Sequence, residues 1–100
     1  MIQEIIMAEN HVLVKLSCSL YAEEAAQVSE SLIEYIEKGH KTILFDFGDV
    51  DYIEYSGLQA FVAFQKRARQ NGGSVVIKGL HGLVKDLCEL TRLDKVFEIQ

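Results

Sequence analysis

Six residues near the middle of the chain, Thr42-Ile43-Leu44-Phe45-Asp46-Phe47, restrict the fold more than any other stretch. The run is too short for a helix and too apolar for a surface strand, so it reads as a central strand covered on both faces. A segment with helical periodicity lies on each side of it. Upstream, between Ala22 and Lys38, the apolar residues Ala25, Val28, Leu32 and Ile36 recur every three or four positions. Glu24, Gln27, Glu30, Glu34 and Glu37 take the opposite face, and Gly39 stands where such a helix would end. Downstream, Leu58, Phe61, Val62 and Phe64 build an apolar face within Ser56–Gln70. Lys66, Arg67 and Arg69 sit near its end, where the helix dipole favours cations, and Asn71-Gly72-Gly73 stops it. A strand between two helices requires crossover connections, and these run right-handed in a largely parallel sheet.

The remaining segments extend this pattern. Ile2–Met7 and Val12–Leu16 are two strand candidates joined by Ala8-Glu9-Asn10-His11, a polar loop of hairpin length. Ser74–Lys78 is a second buried strand candidate. Leu80, Leu83, Val84, Leu87 and Cys88 mark a third helix, and Val96–Ile99 reads as a short edge strand. The expected order is β-β-α-β-α-β-α-β, an α/β sandwich of four or five strands whose opening hairpin adds an antiparallel edge. With 100 residues, no proline, no repeat and no low-complexity tract, the chain reads as a single domain over residues 1–100. That length buries roughly two-thirds of the unfolded surface without staples. Cys18 and Cys88 lack CxxC spacing and are expected to be buried thiols in a reducing compartment.

Charge narrows the function. Residues 1–56 carry eleven acids and three bases, a net of −8, whereas residues 57–100 carry four acids and seven bases, a net of +3. An acidic chain of pI near 5.1 makes a poor nucleic-acid ligand, because duplex binding is dominated by phosphate neutralisation. The asymmetry suits protein partners of complementary charge, and equally a solvated acidic surface. No apolar run reaches the roughly 18–20 residues that span a bilayer. Met1-Ile2-Gln3-Glu4 has no basic start or apolar core of a signal peptide, so the expected compartment is the cytoplasm.

In open α/β sheets, site residues gather beyond the carboxyl ends of parallel strands. The informative segment there is the expected loop Gly48–Tyr55 and the helix start after it, which together contribute Asp49, Asp51, Tyr52, Glu54, Tyr55, Ser56, Gly57 and Leu58. A serine at a helix N-cap satisfies a free backbone N–H, worth about 1 kcal/mol, and that role alone would account for Ser56. The same helix terminus tolerates an anion, so a phosphate on Ser56 would add about −1.5 to −2 charges to an acidic surface while sparing the fold.

Asp49-Val50-Asp51-Tyr52-Ile53-Glu54-Tyr55-Ser56-Gly57-Leu58 resembles the signature segment of STAS domains, in particular bacterial anti-sigma factor antagonists, whose D-S-[ST]-G-L motif opens a helix. Lys78-Gly79-Leu80 and the stretch Leu87-Cys88-Glu89-Leu90-Thr91-Arg92-Leu93-Asp94-Lys95-Val96-Phe97 are similar to the family's closing helix and its T-G-L-D-x-V-F ending. The element order also matches along nearly the whole chain. The sequence departs from the family pattern at Glu54 (usually Asp), at Tyr55 (usually Ser) and at Arg92 (usually Gly). It also reads Cys18-Ser19-Leu20-Tyr21 where a G-E-L-D-like stretch is common.

The resemblance implies a STAS-like mixed, largely parallel sheet with three or four helices and no enzymatic activity or cofactor. It further implies a phosphoacceptor at Ser56 and a partner surface of Ser19, Tyr21, Asp49, Asp51, Tyr52, Glu54, Tyr55, Gly57 and Leu58. The implied partners are an anti-sigma factor that is also a serine protein kinase, and a phosphatase, with room for a weak homodimer. Binding the dephosphorylated domain would occupy the anti-sigma factor and free a sigma factor. The competing expectation is a STAS scaffold subunit in a signalling or lipid-transport assembly, with Ser56 a helix cap only. Ser17, Ser19 and Ser74 are lesser modification candidates. A catalytic serine is disfavoured: Tyr55-Ser56-Gly57 is no G-x-S-x-G elbow. His11, His40 and His81 read as surface or cap residues, and no Cys/His cluster suggests a metal.

Overall fold

The structure, a computed structural model, describes residues 2–7, 11–40 and 42–100. The strands are β1 (Ile2–Met7), β2 (His11–Leu20), β3 (Thr42–Ile53), β4 (Ser74–Lys78) and β5 (Glu98–Ile99). The helices are α1 (Ala22–Glu37), α2 (Tyr55–Gln70) and α3 (Gly82–Leu90), and a 3-10 turn at Leu93–Lys95 precedes β5. The sheet runs β1-β2-β3-β4-β5 in sequence order, antiparallel between β1 and β2 and parallel elsewhere. Of the expected hairpin loop, residues 8–10 lie outside the described residues, and His11 belongs to β2.

From β2 onward the parallel strands lie in sequence order, and right-handed crossovers between such strands place their helices on one face of the sheet. Side chains confirm which face this is at α2. The Phe45 ring meets Phe61 and Phe64 at centroid distances of 5.1 and 5.8 Å, and Phe47 meets Phe61 at 5.6 Å. Val12, Val14 and Leu16 of β2, Ile43 of β3, and Val75 and Ile77 of β4 complete this buried layer. Ala25, Val28, Leu32 and Ile36 of α1 are all buried, as their spacing requires. On the other face Leu13, Lys15, Leu44, Asp46 and Lys78 are half-buried, and Val76, beside Leu44 in the register, is buried. The central strand is therefore covered on one face, not two. The alternation was hidden because Leu44, on the open face, is as apolar as its core-facing neighbours.

The expected loop over residues 48–55 is almost entirely strand: β3 continues to Ile53, and Glu54 alone separates it from α2. Its pairing with β2 slips twice, between Lys15 and Ser17 and between Cys18 and Ser19, and at each slip β3 carries one extra residue. These bulges let Phe47, Val50 and Ile53, three apart, all point into the core. Cys18, at the second slip, adopts a left-handed φ of 68° and is exposed, contrary to the expectation of a buried thiol. Cys88 is buried as expected, and its burial, reinforced by the Asp94 and Glu89 carboxylates, pushes the thiol up to about 11.

Candidate functional site

The extended end of β3 delivers its side chains to the point where two helices begin. Glu54 is the N-cap of α2, with extended backbone (φ −71°, ψ 148°), and its N–H donates to the Leu20 carbonyl at 2.9 Å. Its carboxylate reaches across the junction. Oε1 accepts the Ala22 N–H, in the first turn of α1, at 3.0 Å, and the Ser56 hydroxyl at 3.4 Å. One half-buried carboxylate thus touches the starts of both helices, each of which presents positive dipole and N–H groups without intrahelical partners. Tyr21, the N-cap of α1, is held by its own N–H donating to Glu24 at 3.0 Å.

Ser56 is not the cap. It occupies the second position of α2, is exposed, and uses its hydroxyl as a donor to Glu54 instead of accepting a backbone N–H. The cap-only account of this serine therefore falls. Its position remains within the first turn, where a helix favours added negative charge.

Around Ser56 the expected partner residues separate into two groups. Asp49, Asp51, Tyr52 and Tyr55 are exposed at the end of β3 and the start of α2, Tyr21 is exposed on the neighbouring junction, and Ser19 is half-buried. The Tyr21 and Tyr52 rings lie 5.7 Å apart, and the Tyr55 hydroxyl accepts the Gln59 amide at 2.6 Å. Lys15 approaches Asp49 at 3.6 Å with both side chains about half-exposed, an ion pair contributing well under about 1 kcal/mol. Gly57 and Leu58, by contrast, are buried and cannot offer side chains to a partner. Gly57 has a packing role: a Cβ there would come within 3.1 Å of the Leu20 carbonyl oxygen.

The sequence reading missed the contribution of α3. Tyr52, Ile53 and Tyr55 form one wall of a groove of about 330 Å³, and Leu83 and Leu87 form the other. Tyr21, Tyr52, Tyr55 and Leu83 are 50%, 41%, 51% and 68% exposed, an unusual collection of large apolar side chains for one end of a small domain. The signal was present in the sequence. Gly82–Leu90 holds more apolar residues than one short helix can bury, and only Val84 and Cys88 are buried. His81 caps this helix and its Nε2 lies 3.0 Å from the Gly48 carbonyl oxygen, tying α3 to β3. Among the described residues no group of three or more His, Cys, Asp or Glu is arranged to hold a metal.

Compared with known proteins, residues 4–100 match the STAS domain family. The chain belongs to that family. Among curated relatives of this STAS domain, the anti-sigma-B factor antagonist of Listeria monocytogenes is 30% identical over 91 residues, covering 91% of this chain and 80% of that protein. A Bordetella bronchiseptica protein provisionally named anti-sigma factor antagonist BtrV is 28% identical over 75 residues. That alignment spans 75% of this chain and 65% of the relative, just under two thirds. The crystal structure of a provisionally assigned anti-sigma factor antagonist from Thermotoga maritima superposes with a TM-score of 0.86 at 22% identity, over 96% of this chain and 83% of the other. The anti-sigma factor antagonist SpoIIAA, solved in unphosphorylated and phosphorylated forms, gives TM-scores of 0.75 and 0.74 at 13% and 14% identity. It covers 97% of this chain in both cases and 86% and 89% of those chains. These structural likenesses show the shared fold: three helices on a mixed, mostly parallel five-stranded sheet.

Proposed function

We propose that this STAS domain is a non-enzymatic, phosphorylation-switched binding module of the bacterial cytoplasm, an anti-sigma factor antagonist with Ser56 as phosphoacceptor. With a free hydroxyl on Ser56 it binds an anti-sigma factor that doubles as a serine kinase, and so releases a sigma factor. A phosphate on Ser56 blocks that binding, and a phosphatase restores it. The names of the Listeria and Bordetella relatives support the antagonist role. The phosphorylated structure of SpoIIAA supports phosphorylation on this fold.

The observation that carries the reading is the placement of Ser56: exposed, in the first turn of α2, beside the exposed ring of Tyr55. A partner that covers Tyr55 must also cover Ser56. The hydroxyl costs little to desolvate, but a dianion beside Glu54 must be stripped of water or matched by cations from the partner. The N–H groups of the first turn accommodate the same charge within the domain, so docking changes while the architecture holds.

Incubation with the cognate kinase and ATP, followed by mass mapping, is expected to place a single phosphate on Ser56. A phosphate found only on Ser17, Ser19 or Ser74 would refute the assignment. Ser56→Asp is expected to weaken anti-sigma factor binding at least ten-fold, about 1.4 kcal/mol, with thermal stability nearly unchanged. Because Ser56 is not the cap, Ser56→Ala is expected to cost less than about 0.5 kcal/mol and to retain binding.

A further inference from the structure

The sheet face turned away from the helices bears two rows of side chains that can be read directly from the strand register. One row is apolar and crosses four strands: Ile6 beside Leu13, Leu13 beside Leu44, and Leu44 beside Val76. The next row is charged and alternates in sign: Glu4 beside Lys15, Lys15 beside Asp46, and Asp46 beside Lys78. Ile6 is 48% exposed and Leu13 and Leu44 are partly exposed, whereas Val76, at 5%, is already covered within its own chain.

We propose that this face is the interface of a weak, two-fold symmetric homodimer of the chain. Charge complementarity favours a second copy as the occupant. A row that reads negative, positive, negative, positive becomes its own complement when turned over about an axis parallel to the strands between β2 and β3. Glu4 then lies opposite Lys78 of the second copy, and Lys15 lies opposite Asp46. The same rotation sets the partly exposed Leu13 against Leu44, with the exposed Ile6 at the margin. A uniformly basic or acidic partner would meet like charge at two of the four positions, whereas a second copy satisfies all four. The contact is isologous, as closed dimers require, and stacks the two sheets about 10 Å apart with the helices outermost.

Size sets the strength. Four strands about 4.8 Å apart, each contributing two or three residues to this face, offer roughly 300–400 Å² per copy, against about 800 Å² in a standard interface. The dimer is accordingly weak and concentration-dependent. The proposal does not rest on the reading of Ser56.

Glu4 and Lys78 are the residues to test, because Lys15 and Asp46 have internal partners, Asp49 at 3.6 Å and the Gly48 N–H at 2.9 Å. Sedimentation equilibrium of the full chain from about 10 µM to about 1 mM is expected to show dimer at the upper end. Glu4→Lys and Lys78→Glu each place like charges together twice per dimer and are expected to weaken association at least ten-fold, with unchanged circular dichroism. An equimolar mixture of the two variants restores the dimer, because each reversed charge then meets its opposite. A wild-type chain that stays monomeric throughout, which would leave the face to another occupant, overturns the proposal. A dimer that survives both reversals, or a mixture that remains monomeric, overturns it as well.

Discussion

Arg92 holds a left-handed backbone conformation, φ 63° and ψ 17°, at the step from α3 into the 3-10 turn. For a residue with a Cβ that conformation costs roughly 1–2 kcal/mol, and glycine adopts it without penalty. Part of the gain from a glycine is returned as extra freedom in the unfolded chain. Arg92→Gly is therefore expected to raise stability by roughly 0.5–1 kcal/mol, a few degrees in Tm, in urea and thermal unfolding. No gain would mean that the Arg92 side chain offsets the strain by contacts of its own. This position was legible beforehand, because the resemblance places a glycine there. Cys18 has the same backbone sign, φ 68°, and was not legible. Its conformation follows from a slip in strand pairing, and register between distant segments leaves no mark in a local window.

At the level of elements, Glu54 joins two helices that are separate in sequence. Removing its carboxylate leaves the Ala22 N–H, part-buried at the start of α1, without its acceptor. Glu54→Ala is expected to cost about 1–2 kcal/mol in chemical denaturation, and Glu54→Gln, which keeps an oxygen acceptor, markedly less. Equal losses in the two variants would show that charge at the helix termini, and not the hydrogen bond, provides the stabilisation. The helices were readable from the sequence because burial on one side imposes a period that a short window can detect, as Ala25, Val28, Leu32 and Ile36 illustrate. The second half of β3 was not. Two bulges break its two-residue period, and Gly48-Asp49 carries turn chemistry inside a strand. The candidate site inherited the same blind spot. Ser56, Tyr55 and Asp51 were legible as a motif, but Leu83 joins them only through the packing of α3 on β3.

For the whole molecule, the acid-rich first half supplies β3 and its carboxylates, and the later half supplies α3, so the exposed tyrosines and leucines straddle the two. Leu83→Ser is expected to leave stability within about 0.5 kcal/mol of wild type, since the side chain is 68% exposed, and to weaken anti-sigma factor binding ten-fold or more. Leu90, 82% exposed at the other end of the same helix, is the control; Leu90→Ser should bind as wild type in the same titration calorimetry. Equal affinities for both variants would remove α3 from the contact surface. The sequence-ordered sheet has one more effect, on how the molecule comes apart. Each strand is hydrogen-bonded only to its immediate neighbours in the sheet, so thermal openings should begin at the rims, with the two-residue β5 and with β1, and travel inward. The strand that presents Asp49, Asp51 and Tyr52 lies at the centre of that series. A domain that has begun to fray at both margins would still hold out its acidic, tyrosine-bearing end intact.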